Sequence, residues 1–196
     1  MQKLLQCILQ ESLLYRVYYL PALSTGLRRG ELCALRWRDL HGGNQLLIQH
    51  SRSTVVGKGV VESDTKSHRT RVVVLPQLVY DYLGELLFNQ IVENNGICPD
   101  DLIFTKQGKP IHPDTFSRHL RRLYDRNGFP KDYHLHTMRH FFATYLLENE
   151  TSKQVAAYLL AMPTRRFSSA PTATPRTPAR SRRRTCWIPC CNRRMR

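Results

Sequence analysis

The stretch His134-Leu135-His136-Thr137-Met138-Arg139-His140, followed by the apolar run from Phe141 to Leu147, constrains the fold more than any other part of the chain. The run reads as a helix, so His136 and Arg139, three residues apart, share one face near its start. Three histidines and an arginine crowd that first turn, where the helix dipole favours anions and disfavours cations. Helix energetics alone would not select this arrangement. A bound phosphate accounts for it, because helix N-termini and guanidinium forks both hold phosphate oxygens. The alternative is a solvated, basic helix start.

Upstream, apolar residues fall at helical spacing from Leu4 to about Leu23, and Pro21 is expected to kink or end that helix. Ser24-Thr25-Gly26 is a break, and a short helix restarts over Leu27 to Leu35. After the turn cluster His41-Gly42-Gly43-Asn44 the period changes. Leu46 to Ser53, Gly59 to Glu62 and Arg71 to Leu75 are β-prone runs at the spacing of a small antiparallel meander. Pro76 opens the next helix, which Asn94-Asn95-Gly96 ends. Leu102-Ile103-Phe104 is a short extended piece. Pro113 to Asn127 is a further helix, with Arg118, Arg121, Arg122 and Arg126 on the face opposite its apolar residues, and Ser152 to about Leu160 is the last. The expected fold class is mainly α with a small three-stranded antiparallel β-sheet (α+β).

A formal net charge of +15 points to a polyanionic partner. The charge is unevenly spread. Residues 161–196 hold ten arginines, no lysine and no acidic residue, which leaves 20 basic and 15 acidic residues before them. The same segment holds five of the eleven prolines and no apolar periodicity, so it cannot offset its ordering entropy by burial and is expected to be a disordered Arg/Pro-rich tail. Cys7, Cys33 and Cys98 are isolated, like reduced cysteines, and Cys186 with Cys190-Cys191 does not match a zinc-ligand spacing, so no metal is expected. No uncharged apolar run reaches the roughly 18 residues of a spanning helix, and Gln6, Gln10 and Glu11 interrupt any signal peptide. The expectation is a cytoplasmic protein without a membrane partner.

Two further stretches carry chemistry. In Thr25-Gly26-Leu27-Arg28-Arg29-Gly30-Glu31-Leu32-Cys33-Ala34-Leu35-Arg36-Trp37-Arg38-Asp39, residues Arg28, Glu31, Leu32 and Leu35 fall along one helical stripe. An arginine facing the buried side must be paired or meet an anion, and an Arg28–Glu31 pair within the helix is the simpler reading. In Asp64-Thr65-Lys66-Ser67-His68-Arg69-Thr70-Arg71, a basic turn precedes the last strand. Such a tip is commonly solvated, yet a lysine there can reach into a groove and donate a proton beside a phosphate.

Taken in order, the three stretches resemble the tyrosine recombinase (phage integrase) family. Thr-Gly-Leu-Arg-x-x-Glu-Leu-x-x-Leu-x-Trp-x-Asp matches its first arginine motif and puts that catalytic arginine at Arg28. Thr-Lys-Ser-x-Arg-Thr ahead of Leu75-Pro76 matches its catalytic lysine hairpin, at Lys66, and His136-Thr137-Met138-Arg139-His140 matches its His-x-x-Arg-His box, at His136 and Arg139. The resemblance spans about Leu4 to Leu160 and implies site-specific recombination or integration of double-stranded DNA, without metal or cofactor. A tyrosine hydroxyl attacks the scissile phosphodiester, giving a 3′-phosphotyrosyl link and a free 5′-hydroxyl. Two arginines neutralise the transition-state charge, Lys66 protonates the leaving oxygen and His136 assists deprotonation of the nucleophile. The link keeps the bond energy, so rejoining needs no ATP. The resemblance also places Arg118, Arg121, Arg122 and His140 against DNA, although a solvated face is the alternative for the helix arginines.

The chain departs from the family at two points. Ala161-Met162-Pro163 stands where a Leu-Gly-His box should follow, and no tyrosine follows Tyr158. The abrupt change to an arginine-rich, lysine-free composition looks like a shifted reading frame. The chain also begins directly in the first helix of the catalytic domain, without the family's separate N-terminal clamp. The expectation is therefore a truncated product: residues 1–160 as a partial recombinase catalytic domain and 161–196 as the tail, with DNA binding retained and cleavage lost. Two alternatives stay open, a non-catalytic DNA-binding or regulatory fragment, and a recombinase whose tyrosine is donated in trans by a second copy or an intact recombinase on DNA.

Overall fold

The computed structural model describes residues 2–64, 70–149 and 151–160. Helices α1 (Gln2–Leu9), α2 (Leu13–Thr25) and α3 (Arg29–Ala34) come first, and a single 3-10 turn over Trp37–Asp39 leads into the strands. These are β1 (Leu40–His41), β2 (Gln45–Ile48), β3 (His50–Val55), β4 (Gly59–Asp64) and β5 (Arg71–Val74). Helix α4 (Gln77–Asn94), strands β6 (Thr105–Lys106) and β7 (Lys109–Pro110), and helices α5 (Pro113–Arg126), α6 (Leu135–Glu148) and α7 (Lys153–Leu159) complete the order. Helices around small antiparallel sheets make this an α+β fold. None of the described helices is long and apolar enough to cross a membrane.

Helix α2 lies at the centre, packed against α1, α3, α4 and α6. Tyr18 stacks on Phe116 with ring centroids 3.7 Å apart, and Phe104 meets Tyr18 edge-on. The Tyr19 hydroxyl donates to the Phe116 carbonyl at 2.8 Å, so this fully buried phenol is satisfied. Trp37 donates to the buried Gln90 at 3.2 Å, whose amide in turn donates to the Ile103 carbonyl at 2.9 Å. Each large apolar side chain so buried contributes about 1.5–3 kcal/mol.

Three expectations need correction. Pro21 does not end the first helix: it is buried inside α2, which runs on to Thr25. Packing of Leu20, Ala22 and Leu23 into the core outweighs the hydrogen bond that proline removes. The break comes earlier, between Leu9 and Leu13, where the Ser12 carbonyl accepts from the Tyr15 and Arg16 N–H groups. The second correction concerns the meander. The three-stranded sheet has the order β1-β2-β5, while β3 and β4 form a separate hairpin. Gln49 lies outside both strands, splitting the run Leu46–Ser53 between the sheets. The third concerns Arg28, which is the N-cap of α3, in extended conformation (φ −75, ψ 153), rather than a residue of the helix, and Leu35 is the C-cap. The tail and the Lys66 turn fall outside the described residues.

Other expectations hold in detail. Helix α5 starts on Pro113, with the His112 ring accepting from the Asp114 N–H at 3.2 Å, and its buried stripe is Phe116, Leu120, Leu123 and Tyr124. At the end of α6, Phe142 and Leu146 form a small cluster with Ala156 and Leu160, apart from the main core. Tyr145, Leu147, Val155 and Tyr158 on these helices stay exposed.

Candidate functional site

A cleft of about 260 Å³ opens where α3, β3 and the start of α6 meet, lined in part by Arg28, Arg29, Glu31, Arg52, His136 and Arg139. Of the residues expected from sequence, the fold thus brings Arg28, His136 and Arg139 together, although more than a hundred residues separate the first from the others.

Arg139 is buried on α6, with one terminal nitrogen donating to the Gly26 carbonyl at 2.7 Å and the other to the Leu160 carbonyl. Burial first, and then the nearby Arg28 charge, lower its pKa to about 10. It stays charged at neutral pH in surroundings that disfavour the charge, and an incoming anion would relieve this. Gly26 makes the arrangement possible. It caps α2 at φ +65, its N–H donating to Ala22, and a β-carbon there would sit 2.8 Å from Phe142 Cδ1 and 2.9 Å from Leu160 Cδ2. Gly26→Ala is expected to cost about 1–2 kcal/mol from the left-handed backbone alone, seen as a lower urea midpoint with unchanged slope. An unchanged midpoint would refute the requirement.

Arg28 is one-third exposed, and its guanidinium reaches Glu31 Oε1 at 3.1 Å while its backbone N–H donates to Oε2 at 2.9 Å. The Arg28–Glu31 pairing read from sequence is present. It is half of a larger set, because Arg71 forks the same carboxylate, Nη1 to Oε1 at 3.1 Å and Nη2 to Oε2 at 2.8 Å. The Glu31 and Arg71 side chains are both 2% exposed. Burial alone would raise the Glu31 pKa, but the Arg71 hydrogen bonds and charge, with the Arg28 N–H, outweigh it and hold the carboxyl below its ordinary value. The residue that lines the cleft as an acid is therefore fully engaged by cations.

His136 is exposed at the rim, its ring edge-on to His140 with centroids 4.8 Å apart. Partial desolvation, then the charges of His140, Arg139 and His134, push its pKa below the usual imidazole value. It is neutral at pH 7 and can accept a proton.

The α5 arginines divide. The depression that adjoins the cleft is lined by Arg29, Ser117, Arg121, His134 and His136, among others, and a further one by Ser117, Arg118 and Arg121. Arg118 is exposed there, whereas Arg121 is held by Asp125 at 2.5 Å and by the Lys131 carbonyl at 2.7 Å. Arg122 lies near enough to His119 for its charge to help lower that imidazole's pKa, after burial, and Arg126 pairs with Glu11 at 2.6 Å. Neither Arg122 nor His140 lines these depressions. Among the described residues, no group of three His, Cys, Asp or Glu is placed to hold a metal ion.

Sequence reasoning missed Arg52 and Arg71. Alternation offered a signal for Arg71: with Val73 and Leu75 inward on a period of two, Arg71 also points inward. β3 shows no such alternation.

The architecture is that of tyrosine recombinase catalytic domains. It superposes with TM-score 0.69 on the Tn1549 transposon integrase solved in complex with a circular intermediate DNA, at 22% identity over 81% of this chain and 55% of that one. The XerA recombinase matches with TM-score 0.62, at 24% identity over 81% of this chain and 52% of that one. The chain belongs to the phage integrase family, whose model matches residues 1–162. A tyrosine recombinase of Pseudothermotoga lettingae is 36% identical over 135 residues, 69% of this chain and 41% of that protein. The tyrosine recombinase XerC of Xanthomonas axonopodis pv. citri is 32% identical over 142 residues, 72% of this chain and 39% of that protein. The chain thus spans about two-fifths of the length of these curated relatives.

Proposed function

We propose that this chain binds double-stranded DNA across the cleft and grips one phosphodiester between Arg28 and Arg139, as part of site-specific recombination or integration. The observation that carries this reading is the convergence of Arg28, Arg139 and a depressed-pKa histidine on one cleft where Glu31, the only lining carboxylate among the described residues, is already saturated by Arg28 and Arg71. The solved Tn1549 integrase complexes with DNA support the partner class.

In the reaction so assigned, the two guanidinium groups stabilise the charge that builds on the phosphorus oxygens. A tyrosine oxygen bonds to phosphorus, the bond to the 5′ oxygen breaks, and that oxygen takes a proton. His136 accepts the nucleophile's proton, and Lys66 supplies the one for the leaving group. Arg118 and Arg121 follow the backbone along the adjoining depressions, and Arg122 and His140 make further contacts to DNA outside them. Residues 1–160 act as a partial recombinase catalytic domain, and the arginines of 161–196 add salt-sensitive, non-specific affinity.

Within these 196 residues no tyrosine follows Tyr158. We therefore assign to this chain phosphate binding without formation of the covalent link by itself. A nicked duplex that traps the phosphotyrosyl intermediate tests both parts. The expected result is a mobility shift on a native gel and no covalent adduct on a denaturing one. An adduct from this chain alone refutes the loss of cleavage, an adduct formed only with an intact recombinase indicates a tyrosine supplied in trans, and the absence of any shift refutes the DNA reading.

A further inference from the structure

Arg52 stands on β3, in the wall of the cleft, with its side chain 15% exposed. Its position follows from Gly30. A β-carbon at that residue would run into the Ser51 side chain and come within 2.9 Å of the Arg52 carbonyl oxygen, so only glycine lets α3 and β3 approach this closely. The Arg52 side chain is thereby carried to the same space as Arg28, Arg29, His136 and Arg139.

Arg52 differs from the other arginines there in what holds it. Arg28 and Arg139 donate to groups of the chain itself, and Arg29 donates to Asp114 at 2.7 Å. Arg52 has an acidic neighbour in Glu62, its register partner across the hairpin, but the closest approach is 3.7 Å, beyond hydrogen-bonding range. Glu62 is instead taken by Arg36, which donates to its two oxygens at 2.8 and 3.0 Å. The Arg52 Nε is buried without an acceptor among the described residues. Arg36 and Arg71 also leave Nε without one, but their terminal nitrogens are bound by carboxylates. A largely covered guanidinium with no hydrogen-bond acceptor among the described residues, and only a distant carboxylate beside it, carries a desolvation penalty that a ligand oxygen would reduce.

We propose that Arg52 is a phosphate-contacting residue of this cleft, holding a DNA phosphate beside the one between Arg28 and Arg139. The inference rests on the DNA reading above. Its chemistry is that of a guanidinium fork on a phosphodiester, and it reads no base sequence.

The test measures duplex binding by fluorescence anisotropy across a salt series for the unaltered chain, Arg52→Met and Arg52→Lys. Arg52→Met keeps the apolar stem and is expected to bind about tenfold more weakly near physiological salt, with the slope of log K against log salt shallower by about 0.9. Arg52→Lys keeps a positive charge at the same place, so it folds, retains the slope and binds about threefold more weakly through loss of the fork. Identical affinity and slope in all three proteins overturns the inference while leaving the DNA reading intact. If Arg52→Met fails to fold, unchanged binding by Arg52→Lys overturns it in the same way. Failure of the unaltered chain to bind duplex DNA overturns the DNA reading first, and this inference with it.

Discussion

Replacing Glu31 with alanine is expected to destabilise the fold by about 3–5 kcal/mol, the usual cost of removing one member of a buried ion pair. Among the described residues Arg71 has no other acceptor for its terminal nitrogens, and its side chain is 2% exposed, so it would be left as a buried cation. Arg28 would lose the carboxylate that holds both its backbone N–H and its guanidinium. Chemical denaturation measures the loss, and a change under about 1 kcal/mol, the scale of an exposed pair, would show that the trio is not structural. The pH dependence has a fixed sign. The Glu31 pKa is lowered in the fold, so its stabilising contribution is complete above the unfolded carboxylate value and is lost as pH falls through the lower folded value. Glu31→Gln with Arg71→Met, which removes both charges, should recover much of the stability and abolish this acid-side loss.

Arg139→Met is expected to separate affinity from stability. Two charge-assisted hydrogen bonds to a phosphate are together worth about 3 kcal/mol or more, or roughly a hundredfold in DNA affinity. The free protein should change far less. It loses the bonds to the Gly26 and Leu160 carbonyls, but it also sheds a desolvated charge that repels Arg28. Anisotropy and urea denaturation on the same preparation decide the matter. Unchanged DNA affinity would remove Arg139 from the phosphate site, and a stability loss large enough to unfold the chain would make its role structural. Arg139→Lys, with charge but no fork, should fall between the two.

Much of this was legible because local signals agreed. Helix α5 carries its start in His112-Pro113-Asp114 and its period in Phe116, Leu120, Leu123 and Tyr124, and it forms where those residues place it. His136 and Arg139, three apart on α6, reach one cleft as that spacing implies, whereas Arg28 reaches it from the N-cap of α3 rather than from a helical stripe. The misreadings arose where distant packing decided. Pro21 continues a helix because the core closes around it, and one β-prone run divides at Gln49 between two sheets. The Glu31–Arg71 pair joins residues 40 apart, and Glu62 is denied to Arg52 by Arg36, 26 residues from that carboxylate. No local pattern records who wins such a competition. On α5 the Arg121–Asp125 pair lies one helical turn apart and is a local pattern, whereas the Arg126–Glu11 pair spans 115 residues and leaves no trace in the helix period.

The two carbonyls that hold Arg139 also set its conformational freedom. Ordering an arginine side chain costs about 1.5–2 kcal/mol of rotamer entropy. Because Gly26 and Leu160 fix both terminal nitrogens within the fold, that ordering is complete before any ligand arrives. A phosphate reaching this cleft meets a guanidinium with one orientation, so its binding is not opposed by the freezing of a long flexible chain.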